Sequence, residues 1–283
     1  MTKAFSWYPG HMARARRRLE GNLKLADAVL TVLDCRIPAT SRHLELEASL
    51  AERNMPILLV LNKADLADPQ LTKRWLEQLK REGVTAVAMS SQQGRGAGPL
   101  RPHLDRLREK VAERFEHKGV RARDPRLLVV GLPNVGKSSL LNRLVGKSRA
   151  KTGRKPGVTR GAQWVVAQGK WQVLDTPGIL YPRIETEQQL AYLAAVGCVK
   201  RDVLPFEDVA RHLLMALVER DLAEPMLGEP PYPEPHLLIE ALARQKGFLL
   251  KGGRLDIERA TTWLLAQFFE GKVGPVTLEA PCA

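Results

Sequence analysis

The sequence predicts an α/β fold with a mostly parallel sheet, followed by a smaller all-α domain. Apolar runs alternate with amphipathic helical stretches in the first two-thirds of the chain, and strand signals stop after Tyr181-Pro182. One pair of apolar runs is separated by a short Gln-Gly turn, which predicts an antiparallel hairpin. We therefore expect one domain at residues 1–182, including a basic N-terminal segment at 1–25, and a helical domain at 183–283.

The apolar runs carry the aliphatic and β-branched residues that are typical of buried strands. The predicted strands are Ala28–Leu33, Ile57–Leu61, Val84–Met89, Leu127–Val130, Gln163–Ala167 and Trp171–Leu174. Apolar periodicity predicts helices at Leu71–Arg81, Leu100–His117, Glu187–Val199, Phe206–Arg220, Pro235–Lys246 and Ile257–Phe269. Asp202 and Asp256 stand near predicted helix starts, and Gly247 and Gly271 near predicted helix ends.

Composition excludes several classes of protein. No stretch approaches the roughly 18 uninterrupted apolar residues of a membrane span, and the N-terminus has no apolar signal-peptide core. The cysteines Cys35, Cys198 and Cys282 lie far apart and form no CxxC pair. This spacing argues against a zinc site or a disulfide framework and indicates a reducing cytoplasm.

The net charge of +13 predicts attraction to a polyanion such as nucleic acid. The alternative is a charged surface that serves solubility alone. Grouping of the positive residues favours an interaction surface. The groups are Arg14, Arg16, Arg17 and Arg18; Lys118, Arg121, Arg123 and Arg126; and Lys147, Arg149, Lys151, Arg154, Lys155 and Arg160.

Residues 131–138 read Gly-Leu-Pro-Asn-Val-Gly-Lys-Ser, which matches the phosphate-binding pattern GxxxxGK[ST]. The motif follows an apolar run and opens a helical stretch, as a P-loop does, whereas the alternative is a plain glycine-rich turn. Backbone N–H groups of such a loop point at phosphate oxygens. Lys137 would reach the β/γ-phosphates, and the Ser138 hydroxyl would ligate Mg²⁺. The predicted nucleotide contacts in this loop are Asn134, Val135, Gly136, Lys137, Ser138 and Ser139.

Two further features predict the metal and γ-phosphate side of the site. Asp175-Thr-Pro-Gly178 follows an apolar run, where the Asp175 carboxylate can hold a Mg²⁺-bound water and the Gly178 N–H can meet the γ-phosphate. Thr159 lies between the P-loop helix and the hairpin, where a switch threonine closes on Mg²⁺ and γ-phosphate. Neither feature is specific alone, so the prediction depends on their placement.

Residues Asn62-Lys63-Ala64-Asp65 follow another apolar run and match NKxD, the guanine-specificity motif of GTPases. The Asp65 carboxylate would accept hydrogen bonds from guanine N1–H and the 2-amino group, while the Lys63 stem would lie against the ring. The alternative is an ordinary polar strand-to-helix loop. Ser90 and Ser91 follow the next predicted strand, where GTPases carry a Ser-Ala-Lys-like loop whose backbone contacts guanine O6; the Ser-Ser-Gln sequence departs from that pattern.

The motifs stand in an unusual order, because NKAD and Ser-Ser-Gln precede the P-loop, Thr159 and DTPG. This order resembles the circularly permuted GTPases. The stretches Trp7–Met12 (WYPGHM) and Asp34–Pro38 (DCRIP), with GGRLDIERATTWLL near the C-terminus, are similar to the ribosome biogenesis GTPase A family of bacterial large-subunit assembly factors. The resemblance spans nearly the whole chain and implies a circularly permuted, Ras-like P-loop GTPase domain.

One departure from Ras-type GTPases concerns the rate of hydrolysis. Ile179 follows DTPG, where those proteins carry the Gln that orients the attacking water. We therefore expect slow intrinsic hydrolysis that is stimulated by the ribosomal subunit. His11 is a candidate for the missing role, because an imidazole can orient or deprotonate water. The alternative is a helix-start histidine that packs or contacts RNA.

These features predict a GTP-hydrolysing factor of late 50S assembly, whose nucleotide state times binding to and release from the pre-50S particle. The alternative is a GTP-gated RNA- or ribosome-binding module with incidental hydrolysis. Expected cofactors are GTP or GDP, Mg²⁺, and K⁺ held by Asn134. Expected partners are the rRNA and proteins of the large subunit, contacted partly by the helical domain, with no membrane and a monomeric state. The predicted catalytic residues are His11, Lys137, Thr159 and Gly178.

Overall fold

The computed structural model describes residues 17–91, 98–119, 121, 123–145, 164–167, 171–174, 184–199 and 204–281. They form two compact units, one within Ser6–Arg183 and the other at Ile184–Glu279. Across these described ranges, no helix has both the length and the apolarity that crossing a lipid bilayer requires.

The first unit is built on a six-stranded sheet with the order β3-β2-β1-β4-β6-β5. The strands are β1 (Ala28–Asp34), β2 (Ile57–Asn62), β3 (Ala86–Met89), β4 (Arg126–Gly131), β5 (Trp164–Ala167) and β6 (Trp171–Leu174). All neighbours pair in parallel except β5 and β6, which form the antiparallel hairpin that the short turn predicts.

The sheet forms from continuous apolar runs because its central strands are covered on both faces. All seven residues of β1 are buried, and so are the last five of β2 and of β4. In register, Asp34 of β1 pairs with Asn62 of β2, and Val32 pairs with Gly131 of β4. The strands that carry the predicted motifs therefore end side by side.

Helices of the first unit connect the strands. They are α1 (Pro38–Ser41), α2 (Leu44–Glu52), α3 (Pro69–Arg81), α4 (Leu100–His117) and α5 (Lys137–Val145), and residues 17–23 are also helical. Asp68 caps α3, because its side chain accepts a hydrogen bond from the Leu71 N–H at 2.7 Å. Trp75 and Leu79 of α3 pack in the cluster that contains Leu33, Leu59 and Leu61. Helix α3 is thereby fixed to the β1–β2 side of the sheet.

The described residues of the second unit form helices joined by turns and loops, with an isolated antiparallel bridge between Leu249 and Leu255. Its helices are α6 (Glu187–Ala195), α7 (Phe206–Val218), α8 (Glu224–Leu227), α9 (Leu238–Gln245) and α10 (Ile257–Phe269). Thr186 and Gln189 form a capping box on α6, and Asp256 caps α10 by accepting from the Arg259 N–H at 3.0 Å. Gly247 and Gly271 follow α9 and α10 with φ of +66° and +75°, as expected of glycines that end helices.

The α/β fold class is confirmed, and most differences from the predicted elements are at their ends. The run that begins at Val84 enters the sheet only at Ala86, because the Val84 N–H still bonds to the Leu79 carbonyl of α3. The predicted helix at Pro235–Lys246 starts as a 3-10 turn and becomes α-helical at Leu238. The short helices α1, α2 and α8 were not predicted. Asp202 lies outside the described residues.

Candidate functional site

The predicted motifs follow four neighbouring parallel strands at the carboxyl edge of the sheet. Asp34 ends β1, Asn62 ends β2, Ser90 follows β3, and Gly131 ends β4 at the start of the predicted P-loop. Ligand sites of open α/β sheets lie at this edge. The fold thus gathers sequence segments that are far apart in the chain into one candidate site.

Glycines at both ends of the predicted P-loop allow close backbone approach. A Cβ on Gly131, whose φ is +151°, would lie 2.4 Å from the Val32 carbonyl oxygen. A Cβ on Gly136, whose φ is +97°, would lie 2.1 Å from Nδ2 of Asn62. Asn134 adopts the left-handed conformation with φ of +59°, which Asn tolerates better than most residues. The local geometry therefore requires glycine at positions 131 and 136.

Lys137 begins α5, and its residue is only 8 % exposed. Its ammonium donates to the Leu132 carbonyl at 2.5 Å, so the positive charge lies inside the curl of the loop. Ser138 is exposed and Ser139 is half-buried at the same helix start. A buried ammonium beside a helix N-terminus forms an environment that favours phosphate.

Asn62 connects the predicted P-loop with the predicted base-binding loops. Its Nδ2 donates to the Val135 carbonyl at 2.7 Å, and its Oδ1 accepts from the Ser91 N–H at 3.0 Å. Asn62 itself is 1 % exposed. Its side chain is therefore engaged in holding two loops together.

A second link joins the P-loop helix to the same loop. Nε of Arg143, on α5, donates a hydrogen bond to the Ser91 carbonyl. Ser91 is buried, and both its N–H and its carbonyl serve these contacts, whereas Ser90 is half-buried. The Ser91 N–H is therefore already engaged with Asn62.

The remaining residues of the NKAD motif form a sharp turn after β2. Lys63 is left-handed with φ of +61°, and a 3-10 turn follows at Ala64–Leu66. Lys63, Ala64 and Asp65 are all half-buried. A lysine in this conformation is strained, and such strain is often found at functional sites.

Comparisons with known proteins agree with this geometry. A family model described as 50S ribosome-binding GTPase matches residues 126–223, a range that contains the P-loop and excludes NKAD. The chain is 39% identical over 280 residues to ribosome biogenesis GTPase A of Bacillus licheniformis, covering 97% of this chain and 98% of that protein. It is 33% identical over 276 residues to the Thermotoga maritima protein of the same name, covering 98% and 94%.

Two solved structures match nearly the whole chain. GDP-bound YlqF superimposes with a TM-score of 0.66 at 28% identity and covers 93% of this chain and 99% of that one. GNP-bound YlqF from T. maritima gives 0.65 at 28% identity, covering 95% and 98%. The chain belongs to the ribosome biogenesis GTPase A family. It is a GTPase with a circularly permuted, P-loop-containing domain, as the motif order predicts.

One part of this GTPase site was missed as a functional feature in the sequence. Asp34, in the DCRIP stretch, is fully buried at the end of β1. Its carboxylate accepts from Nε and Nη2 of Arg36 at 3.0 and 2.9 Å and from Nζ of Lys63 at 2.8 Å. Burial opposes ionisation of Asp34, but the two cations outweigh it and lower its pKa to about 2. The resemblance pointed to this stretch, whereas spacing alone gave no sign of a contact with Lys63.

The buried environment of the neighbouring Cys35 makes its thiol unreactive. It is buried, its Sγ lies 3.3 Å from Oγ1 of Thr72, and burial raises the pKa of its thiol to about 12. A thiol of that pKa is neutral at physiological pH and unreactive. Cys35 therefore belongs to the packing of β1 against α3.

One arginine of the predicted basic groups has a structural role in the GTPase unit. Arg123 donates to both carboxylate oxygens of Asp27 at 2.8 and 2.9 Å, and its guanidinium also lies 5.1 Å from the ring centre of Phe115. By contrast, Arg17 and Arg18 are exposed. The charge available for a polyanion is therefore smaller than the sequence count suggests.

Several predicted site residues lie outside the described residues, and their roles stay predictions. They are His11, Thr159, Asp175, Gly178 and Ile179, as well as all of the basic residues at 147–160. Among the described ones, the structure joins Asn62, Val135 and Ser91 by hydrogen bonds and places Gly136 against the Asn62 side chain.

Proposed function

We propose that this GTPase acts in late assembly of the large ribosomal subunit and that its nucleotide state times binding to and release from the pre-50S particle. The observation that carries the proposal is the Asn62 side chain, which holds the NKAD turn, the P-loop and the Ser91 loop together. A site built in this way binds a guanine base and a phosphate chain at once. Membership of the ribosome biogenesis GTPase A family supports the proposal that the large ribosomal subunit is the binding partner.

The predicted site residues divide the work of binding GTP or GDP. Asp65 would recognise the guanine edge, and the loop amides with Lys137 would hold the phosphates. Ser138 would ligate Mg²⁺ with Thr159, and with Asp175 through a water. The buried ammonium of Lys137 and the glycine at 136 fit a phosphate cradle. Bound Mg²⁺ would neutralise charge on the phosphates during hydrolysis.

Hydrolysis by the isolated protein should be slow, because Ile179 cannot orient water. We propose that the subunit stimulates it by positioning His11 for catalysis. His11→Ala should keep nucleotide and particle binding while losing a factor of roughly 10² to 10⁴ of the stimulated rate. A His11→Ala protein that no longer binds subunits would instead assign His11 to RNA contact.

Ribosome binding in the cytoplasm would use exposed basic residues. Arg17 and Arg18 are exposed at the start of the described chain. Phosphate contacts release counterions, so binding to subunits should fall steeply between about 50 and 200 mM salt. A flat response over that range would indicate a protein contact.

Co-sedimentation tests the proposal. Immature and mature large subunits are spun with the protein and either GDP or a non-hydrolysable GTP analogue, and immature particles should retain it preferentially with the analogue. Lys137→Ala and Lys110→Ala form a matched pair, because Lys110 is an exposed lysine of α4 that is not part of the P-loop motif. Equal retention in both nucleotides would contradict the proposal.

The same experiment separates the assembly factor from a GTP-gated binding module. A variant that binds GTP but does not hydrolyse it should stay trapped on the particle if hydrolysis drives release. If such a variant leaves the particle as fast as the unmodified protein, hydrolysis is incidental and the module is the correct description.

A further inference from the structure

We propose that Asp34 is a positioning residue for guanine selectivity, which it sets by holding Lys63 and thereby the turn that presents Asp65. The proposal rests on the proposed guanine site and deepens it. Asp34 acts through Lys63 and needs no contact with the nucleotide.

The strand register places the two residues together. Asp34 pairs with Asn62 across the parallel β1–β2 ladder, and Lys63 is the next residue. The backbone is locked at this point, because the Cys35 N–H donates to the Asn62 carbonyl at 2.8 Å. The Asp34 carboxylate then receives the Lys63 ammonium at 2.8 Å, with side-chain exposures of 0% and 17%.

Asp34 does not depend on Lys63 as its counter-ion. Arg36 already binds both carboxylate oxygens of Asp34, and its backbone N–H adds a bond to Oδ1 at 3.1 Å. Lys63 nevertheless joins the same carboxylate while its backbone is left-handed, and both the strain and the restriction of a long side chain oppose folding. Strain that persists at a candidate site favours a functional reason for it.

The functional reason is preorganisation. The Lys63 side chain is held at its Cα by the turn and at its ammonium by Asp34, which restricts the rotamers of its stem. Asp65 lies in the 3-10 turn that starts immediately after Lys63. Holding Lys63 therefore restricts the orientation of Asp65 before any ligand arrives, which reduces the entropy lost on binding.

The test measures the affinity of the full chain for GDP and for inosine diphosphate, which lacks the 2-amino group that Asp65 would bind. The readout is the ratio of the two dissociation constants, because a loss of folded protein affects both equally and cancels. Asp34→Asn should lower this discrimination by roughly three- to tenfold, the effect expected from freeing one long side chain.

Asp27→Asn is the matched control. Asp27 precedes β1 at the opposite, amino end of the strand, and its carboxylate binds Arg123 at 2.8 and 2.9 Å. The control loses a similar ion pair but should keep the discrimination ratio. If Asp34→Asn and Asp27→Asn both leave the ratio unchanged, or both lower it equally, Asp34 has no positioning role.

A second variant covers the case in which Asp34→Asn does not fold because Arg36 is left buried without a counter-ion. Lys63→Met removes the ammonium and keeps Asp34 paired with Arg36. It should lose the same discrimination, and combining it with Asp34→Asn should add no further loss. An unchanged ratio in Lys63→Met overturns the inference, whereas an unmodified protein that does not distinguish GDP from inosine diphosphate overturns the guanine site itself.

Discussion

Nδ2 of Asn62 donates a hydrogen bond to the Val135 carbonyl oxygen at 2.7 Å, across 73 positions of sequence. The two residues belong to halves of the GTPase unit whose order is exchanged in the permuted chain. Because Asn62 also accepts from Ser91, one buried side chain joins the P-loop to both predicted base loops. Permutation has moved the chain ends while this contact holds the site together.

Gly136→Ala tests that contact. The new Cβ would lie 2.1 Å from Asn62 Nδ2, so the Asn62–Val135 bond would break in addition to the strain of a φ of +97°. We expect a loss of about 2 to 4 kcal/mol in the free energy of unfolding, from left-handed strain and a lost buried hydrogen bond. Urea unfolding gives this value, and GDP affinity measured by calorimetry should fall with it.

Gly83→Ala is the control for Gly136→Ala. Gly83 has a φ of +75°, and nothing lies within 4 Å of its hypothetical Cβ. Gly83→Ala should lower the free energy of unfolding by only about 1 kcal/mol, which corresponds to the backbone strain alone. Its GDP affinity should be unchanged. Equal effects of the two substitutions would show that the Asn62 contact contributes nothing.

Much of this fold could be predicted from the sequence, because each strand and motif is recognisable from residues that are adjacent in the chain. The strand at Ile57–Leu61 could be predicted from its own apolar residues and from the polar NKAD sequence that follows it. The contact between Asp34 and Lys63 was not predictable in this way, since it depends on strand register between residues 29 positions apart. The left-handed turn at Lys63 was missed for a related reason, because tertiary contacts override the propensity of lysine.

Asp65→Asn tests the guanine assignment. An amide in place of the carboxylate should weaken GTP binding and favour xanthosine triphosphate, whose C2 carbonyl accepts from the Asn amide. Calorimetry with both nucleotides measures this change in preference. Loss of one charge-assisted hydrogen-bonded pair should weaken the free energy of GTP binding by about 1.5–3 kcal/mol. Asp68→Asn is a suitable control, because Asp68 caps α3 and lies outside the motif. An unchanged GTP affinity in Asp65→Asn would reject the assignment.

Substitution of Asn134 tests the prediction that K⁺ stimulates GTP hydrolysis. We expect faster GTP hydrolysis in KCl than in NaCl at equal ionic strength, because the Asn134 side-chain oxygen would hold K⁺ beside the phosphates. The left-handed backbone at this position supplies a competing reason for Asn. Asn134→Gly separates the two, since glycine keeps that conformation and removes the oxygen. If Asn134→Gly retains the full potassium stimulation, the residue serves only the turn.

The depressed pKa of Asp34 predicts how stability responds to acid. A carboxyl whose folded pKa is about 2, against an ordinary value of 3.8, stabilises the fold fully above the unfolded pKa. That contribution is lost as the pH falls from about 5 towards 2 and amounts to about 2 kcal/mol, at about 1.4 kcal/mol per pKa unit.

Urea unfolding at a series of pH values checks the acid response. The stability difference between the unmodified protein and Asp34→Asn should be largest near neutral pH and shrink by about 2 kcal/mol towards pH 2. Carbon-13 chemical shifts of the Asp34 carboxyl provide an independent measurement that needs no variant. A carboxyl that titrates near 4 in the folded protein would mean that Arg36 and Lys63 do not hold its charge, and the ion pairs that lock the NKAD turn would then be absent in solution.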